Sequence, residues 1–170
     1  LPIFVSPFLL EITRVQPQVL SFAMLVFGVC SILGNVLGGY LADAFDADRC
    51  LLGGLSALMF NLLGLYVWGD SIIATLMLVG LLGVVFFAIV TLSTLRLLRL
   101  AHQHIPQSSA VASGLNIAAF NLGTALGGIG AGWVISQFGL AYIPIAGAGA
   151  ALVAMGVLGL QMKPKAAVDD

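Results

Sequence analysis

Five stretches of the chain, residues 19–42, 50–69, 72–95, 110–138 and 141–161, run apolar for long enough to cross a bilayer. About 20 helical residues cover a hydrocarbon core of roughly 30 Å. Inside lipid every backbone N–H and C=O must find its partner within the segment or in a closed barrel, so runs of this length are expected to be helices. The composition agrees, with 61% hydrophobic and only 8% charged side chains, where soluble domains carry about 25% charged residues. A water-soluble fold would leave roughly a third of the unfolded chain's surface exposed, and this sequence has too little polar surface for that. The expected fold class is therefore an all-α membrane protein. The breaks between spans, at residues 11–18, 43–49, 69–71, 96–109 and the Gly139 corner, are too short to hold a second domain, so residues 1–170 are expected to form one transmembrane bundle.

The opening run, residues 1–10, meets Glu11 before it reaches spanning length, and it has no basic leader of the kind a signal peptide carries. It is expected to be the tail of a further helix whose start precedes Leu1, which makes the chain a fragment of five complete spans plus the end of a sixth. Orientation follows from the basic residues, which are retained on the cytoplasmic side. Arg49, Arg96, Arg99, Lys163 and Lys165 share one side and Arg14 stands alone on the other, so the C-terminus is expected in the cytoplasm.

With a net charge of −1, nothing in the chain suits a nucleic-acid partner. Cys30 and Cys50 suit the role of small apolar fillers. His102 and His104 fall in the break after the third full span and are expected to be solvated. No Asp, Glu, Lys, Arg or His lies deep inside a complete span, so neither a metal site nor an acid–base pair is expected, and with them no cofactor and no enzyme activity.

A weak internal repeat relates two of the spans. One sequence offset carries Phe27 to Phe120, Leu33 to Leu126, Gly34 to Gly127, Gly39 to Gly132 and Phe45 to Phe138, and sets Tyr40 against Trp133. The two helices are an odd number of spans apart and so cross in opposite directions, which is the signature of an inverted repeat of three helices each.

The same two helices hold small residues at four-residue spacing: Gly34 with Gly38, Gly123 with Gly127, and Gly128 with Gly132. Such pairs let backbones approach closely. They serve either static packing or helices that slide during a conformational cycle. Asn116, Phe120, Gly123 and Gly127 fall on one helical face, and Asn121, Gly128 and Gly132 on another. An amide inside lipid faces protein or a wet cavity, so Asn116 and Asn121 either bond a neighbouring helix or line a substrate cavity. Asn35 and Asn61 pose the same choice, and Phe120 either packs or stacks on an amphipathic ligand.

Gly39-Tyr40-Leu41-Ala42-Asp43 resembles the start of the loop motif of major facilitator transporters, Gly-x-x-x-Asp-Arg/Lys-x-Gly-Arg-Arg/Lys. Gly39 and Asp43 match, whereas Ala44, Asp46, Ala47 and Asp48 depart from it, and Arg49 falls one place beyond the motif's basic pair. Residues 113–128 are similar to the penultimate helix of sugar- and drug-efflux members of the drug:proton antiporter group. The resemblance implies the C-terminal six-helix bundle of a major facilitator fold in a bacterial inner membrane, completed by an N-terminal half. The implied function is secondary efflux of a sugar or amphipathic small molecule by proton antiport, with the coupling carboxylate in the other half. It also gives Asp43 a gating role against a helix N-terminus of that half. The competing reading is a membrane-embedded structural or accessory protein, or an inert truncated remnant, and the lack of a full first span favours it.

Overall fold

The computed structural model describes residues 4–104 and 109–162; Lys163 and Lys165 lie outside them. The described residues form six α-helices: α1 (Val5–Glu11), α2 (Pro17–Ala44), α3 (Ala47–Trp68), α4 (Ile72–His104), α5 (Ser109–Phe138) and α6 (Ile143–Gln161), with a 3-10 turn at Leu140–Tyr142 leading into α6. The five helices after α1 are long and apolar enough to cross a membrane.

Local chemistry sets the boundaries. Pro17 opens α2, where its missing N–H and fixed φ do no harm. Phe45 turns extended and ends that helix, and one residue later the Asp46 carboxylate caps α3 by accepting from the Arg49 N–H at 2.9 Å. Gly139, at φ 92°, makes the corner between α5 and the 3-10 turn, a conformation that costs a side-chain-bearing residue strain. Arg14 takes a left-handed conformation (φ 55°) in the link from α1 to α2. Beside it the Thr13 hydroxyl donates to the Gly69 carbonyl at 2.8 Å and ties this link to the end of α3.

One boundary departs from the sequence expectation. The third full span does not stop near Leu95; α4 continues through the region expected to be a loop as far as His104. No glycine or proline interrupts residues 96–104, and Arg96 and Arg99 find partners on neighbouring helices. His102 accordingly sits exposed on a helix rather than in a loop.

The main core cluster joins Val5, Phe8 and Leu9 of α1 to Ala23 of α2, Leu58, Leu62 and Leu65 of α3, Val79 and Leu82 of α4, and Ala148 and Ala151 of α6. Gly34 and Gly38 of α2 press against α4 so closely that a Cβ on Gly34 would collide with the Val84 carbonyl, and one on Gly38 would stand 2.7 Å from the Ala88 carbonyl oxygen. The contact is reciprocal, since a Cβ on Gly83 of α4 would lie 2.8 Å from the Phe27 carbonyl oxygen. Phe27 and Phe87 pack edge to face beside this seam. Helix α3 lies against both α4 and α6. Its buried Asn61 donates to the Leu78 carbonyl at 3.1 Å, and the Asn61 Oδ1 has no partner among the described residues.

Helix α5 stands apart. It touches only α4, α6 and the 3-10 turn to any extent, and none of its described residues is buried. An open apolar cleft of about 360 Å³, walled by Gly127, Gly130, Ala131, Ala146, Gly147 and Ala150 among others, separates α5 from α6. At the Gly139 end an aromatic chain of Trp133, Phe138, Tyr142 and Tyr66 joins α5 to α3. Such rings suit a membrane interface, where one edge is apolar and the other wet.

Candidate polar row and charged end of the bundle

Helix α4 is the element on which the polar side chains converge. Thr91 and Thr94 are spaced so that they lie on one side of it. The Thr91 hydroxyl donates to Asn35 Oδ1 on α2 at 2.7 Å. Asn116 on α5 donates through Nδ2 to the Thr94 hydroxyl oxygen at 3.2 Å, while that hydroxyl donates to the Val90 carbonyl at 2.9 Å. Two of the amides singled out from sequence, Asn35 and Asn116, are thus joined through a single helix. In hydrocarbon each such bond is worth about 0.6 kcal/mol on average, enough to orient an amide and modest as a source of stability.

The remaining candidates divide. Phe120 lies one turn beyond Asn116 and is half-exposed, and Asn121 is exposed. Gly123, Gly127, Gly128 and Gly132 have no described atom near enough to meet an added Cβ, whereas Gly34 and Gly38 are closely packed against α4. The glycine pairs that look alike in sequence therefore differ in this bundle: those of α2 form its tightest helix seam, and those of α5 face open space. Thr91 and Thr94 were not anticipated. The signal that marks them is a pair of hydroxyls one turn apart in an apolar span.

The charged end is built on α4 as well. Arg96 pairs through Nε with Asp48 in the first turn of α3 and donates to Gln161 Oε1 of α6 at 3.1 Å. Arg99, one turn on, donates to the Ala42 carbonyl at 2.6 Å and to Asp43 Oδ1 at 2.8 Å. Two guanidiniums thereby join the ends of α2, α4 and α6 to the start of α3. The Arg99 contacts also satisfy a carbonyl in the last turn of α2, where positive charge is favoured. Asp43 finds its cation on α4 at a point where the loop offers Ala44 and Ala47. Arg49 enters through its backbone, which Asp46 caps, and Gly39 faces open space. Among the described residues no group of three or more His, Cys, Asp or Glu side chains could hold a metal ion.

Spans of this kind, with amides and hydroxyls inside and charges confined to the ends, define a polytopic α-helical membrane protein. The Major Facilitator Superfamily matches residues 1–169, and the chain belongs to that superfamily, a family of transporters rather than of enzymes.

The chain is 33% identical over 146 residues to "Inner membrane transport protein YdhP" of Escherichia coli (strain K12), covering 85% of this chain and 36% of that protein. To the MFS-type transporter YbcL of Bacillus subtilis (strain 168) it is 29% identical over 170 residues, 98% of this chain and 42% of that protein. It is 28% identical over 156 residues to a protein of Haemophilus influenzae (strain PittGG) named "Probable sugar efflux transporter", 92% of this chain and 37% of the other. The chain thus spans well under half the length of these relatives. No solved structure matches it.

Proposed function

We propose that this bundle is the C-terminal half of a secondary active transporter that exports a small molecule, a sugar or an amphipathic drug, across a bacterial inner membrane by proton antiport. The observation that carries the proposal is the polar row on α4, which holds an amide from α2 and an amide from α5 within otherwise apolar spans. Polar groups are expensive inside a membrane and persist where they face a cavity, and carriers of this architecture bind cargo between two bundles near the midplane.

Two further features support it. Three of the pairs related by the internal repeat are exposed alike, Leu33 and Leu126 (56% and 60%), Tyr40 and Trp133 (64% and 60%), and Phe45 and Phe138 (60% and 57%), whereas Gly34 is buried and its partner Gly127 is exposed. Faces of that size are covered by a partner or by lipid, and equivalent faces on α2 and α5 suit an inverted three-helix repeat that meets a preceding N-terminal half on both helices. Among the described residues Arg49, Arg96 and Arg99 gather at one end and Arg14 lies in the α1–α2 link, and the richer end is assigned to the cytoplasm together with the C-terminus. At that end Asp43 and Arg99 brace α2 against α4 and set the loop for a gating contact with the preceding half. With no carboxylate in the interior of these spans, the proton-coupling acid is assigned to that half as well.

The proposal is tested by retention in cells making the complete protein. Cells preloaded with labelled lactose or with ethidium are expected to lose one of them faster than cells without the protein, and a protonophore is expected to abolish the difference. Equal retention of both compounds with and without the protein would reject the export reading.

A further inference from the structure

We infer that the α5 face carrying Phe120, Gly123, Thr124, Gly127 and Ala131 is the seat of the upstream continuation of α1, the segment of the complete protein that precedes Leu1, packed there as α4 is packed on α2. The inference rests on the reading of this chain as the C-terminal half of a longer transporter, and it names what closes the open cleft between α5 and α6.

The offset that carries Phe27 to Phe120 relates whole helices as well as single residues. It takes the end of α1 at Glu11 to the end of α4 at His104, and the end of α3 at Trp68 to the end of α6 at Gln161. The span of α2, Pro17–Ala44, falls by the same offset within α5, Ser109–Phe138. Helix α1 is thereby the counterpart of α4, but of its last turns only, since Val5–Glu11 corresponds to residues 98–104. The part of α4 that packs on α2 runs from Gly80 to Thr91. Its counterpart falls about 3 to 14 residues ahead of Leu1.

The two receiving surfaces match in chemistry. On α2, Ser31, Gly34 and Gly38 are buried against α4, and the Ser31 hydroxyl donates to the Phe27 carbonyl at 2.7 Å, which satisfies it within its own helix. Their counterparts on α5 are Thr124, Gly127 and Ala131, and the Thr124 hydroxyl donates to the Phe120 carbonyl at 2.9 Å in the same way. Gly127 and Ala131 wall the open cleft, and so does Phe4, the residue that leads into α1. The upstream end of α1 therefore stands at the cleft. Helix α1 has 7 residues, whereas a span needs about 20, and this chain covers 36% and 42% of the YdhP and YbcL relatives. Lipid tails fill an apolar cleft whether or not it holds glycines. A glycine face instead admits a second backbone at contact distance, which is of use to a helix.

The test uses the complete protein in membrane vesicles, with Cys30 and Cys50 replaced by serine. Ala131→Cys is combined with a cysteine about three residues ahead of Leu1, these being the counterparts of Gly38 and Thr91. A Cβ on Gly38 would stand 3.0 Å from that of Thr91, so the paired cysteines are expected within disulfide reach. Oxidation with copper phenanthroline is expected to give the disulfide-linked peptide from within one chain, read by mass spectrometry. Ile129→Cys, on the opposite side of α5 and 72% exposed, is expected to give none with the same partner. No linked peptide from monodisperse Ala131→Cys protein, equal linkage to Ile129→Cys, or linkage between two copies would each overturn the inference. If the Ala131→Cys protein does not fold, Gly123→Cys, the counterpart of Cys30, is paired with the position about eleven residues ahead of Leu1, the counterpart of Gly83, and the same results decide. The retention assay on the same protein separates the two readings. A cross-link formed while lactose and ethidium are both retained rejects export alone, and export by folded protein that forms no cross-link overturns the docking alone.

Discussion

At Gly34 the α2 backbone lies directly on the Val84 carbonyl, with no flexible side chain between them to give way. Gly34→Ala is therefore expected to open the α2–α4 seam at a cost of about 1–3 kcal/mol, seen as a lower melting temperature in detergent or a loss of monodisperse protein. Gly127→Ala meets no described atom, and it is expected to leave the melting temperature of the isolated bundle unchanged. Equal destabilisation by the two would contradict the packing described. Asn61 makes the opposite kind of prediction. Asn61→Leu removes one bond to the Leu78 carbonyl but also removes a buried oxygen with no partner, so stability is expected to shift by less than about 1 kcal/mol. Residue identity alone separates these cases poorly. Gly34 and Gly127 are repeat partners with the same spacing of small neighbours, and only the helix on which each comes to rest distinguishes them.

Among the elements, α4 shows most clearly what sequence patterning reveals and what it hides. Its apolar stretch announces a membrane helix, because lipid leaves the backbone no alternative. Its continuation through residues 96–104 was hidden, since Arg96 and Arg99 resemble a loop until their partners on other helices are known. The same holds for its hydroxyls. A threonine in a membrane helix can satisfy itself on the carbonyl a turn back, as Thr94 does with Val90, so nothing in the sequence marks Thr91 as different. Asn35 and Asn116 were legible because an amide has no comparable local outlet. The two arginines also allow a prediction about the charged end. The Arg96–Asp48 pair is the less exposed, with 25% and 32% of the two side chains accessible, against 47% and 79% for Arg99–Asp43. Arg96→Ala is expected to lower the melting temperature of the bundle more than Asp43→Ala, and the Asp43 effect is expected to stay within about 1 kcal/mol and to fade in high salt. A larger, salt-independent loss in Asp43→Ala would show that its carboxylate does more than pair with Arg99.

In the molecule as a whole, α2, α4 and α5 carry the polar row, and α3 packs against α4 and α6. The packed core lies with α1, α3, α4 and α6 and the α2–α4 seam, while α5 is held lightly across an open cleft. The proposed function requires Asn35 to face an aqueous cavity rather than lipid, which cysteine accessibility distinguishes. With Cys30 and Cys50 replaced by serine in the complete protein, Asn35→Cys is expected to react with a small membrane-impermeant thiol reagent and to be protected by lactose. Asn61→Cys, buried between α3 and α4, is expected to stay unlabelled under the same conditions. An Asn35→Cys protein that is folded yet never labelled from either side of the membrane would place that residue against lipid or protein and would rule out the cavity.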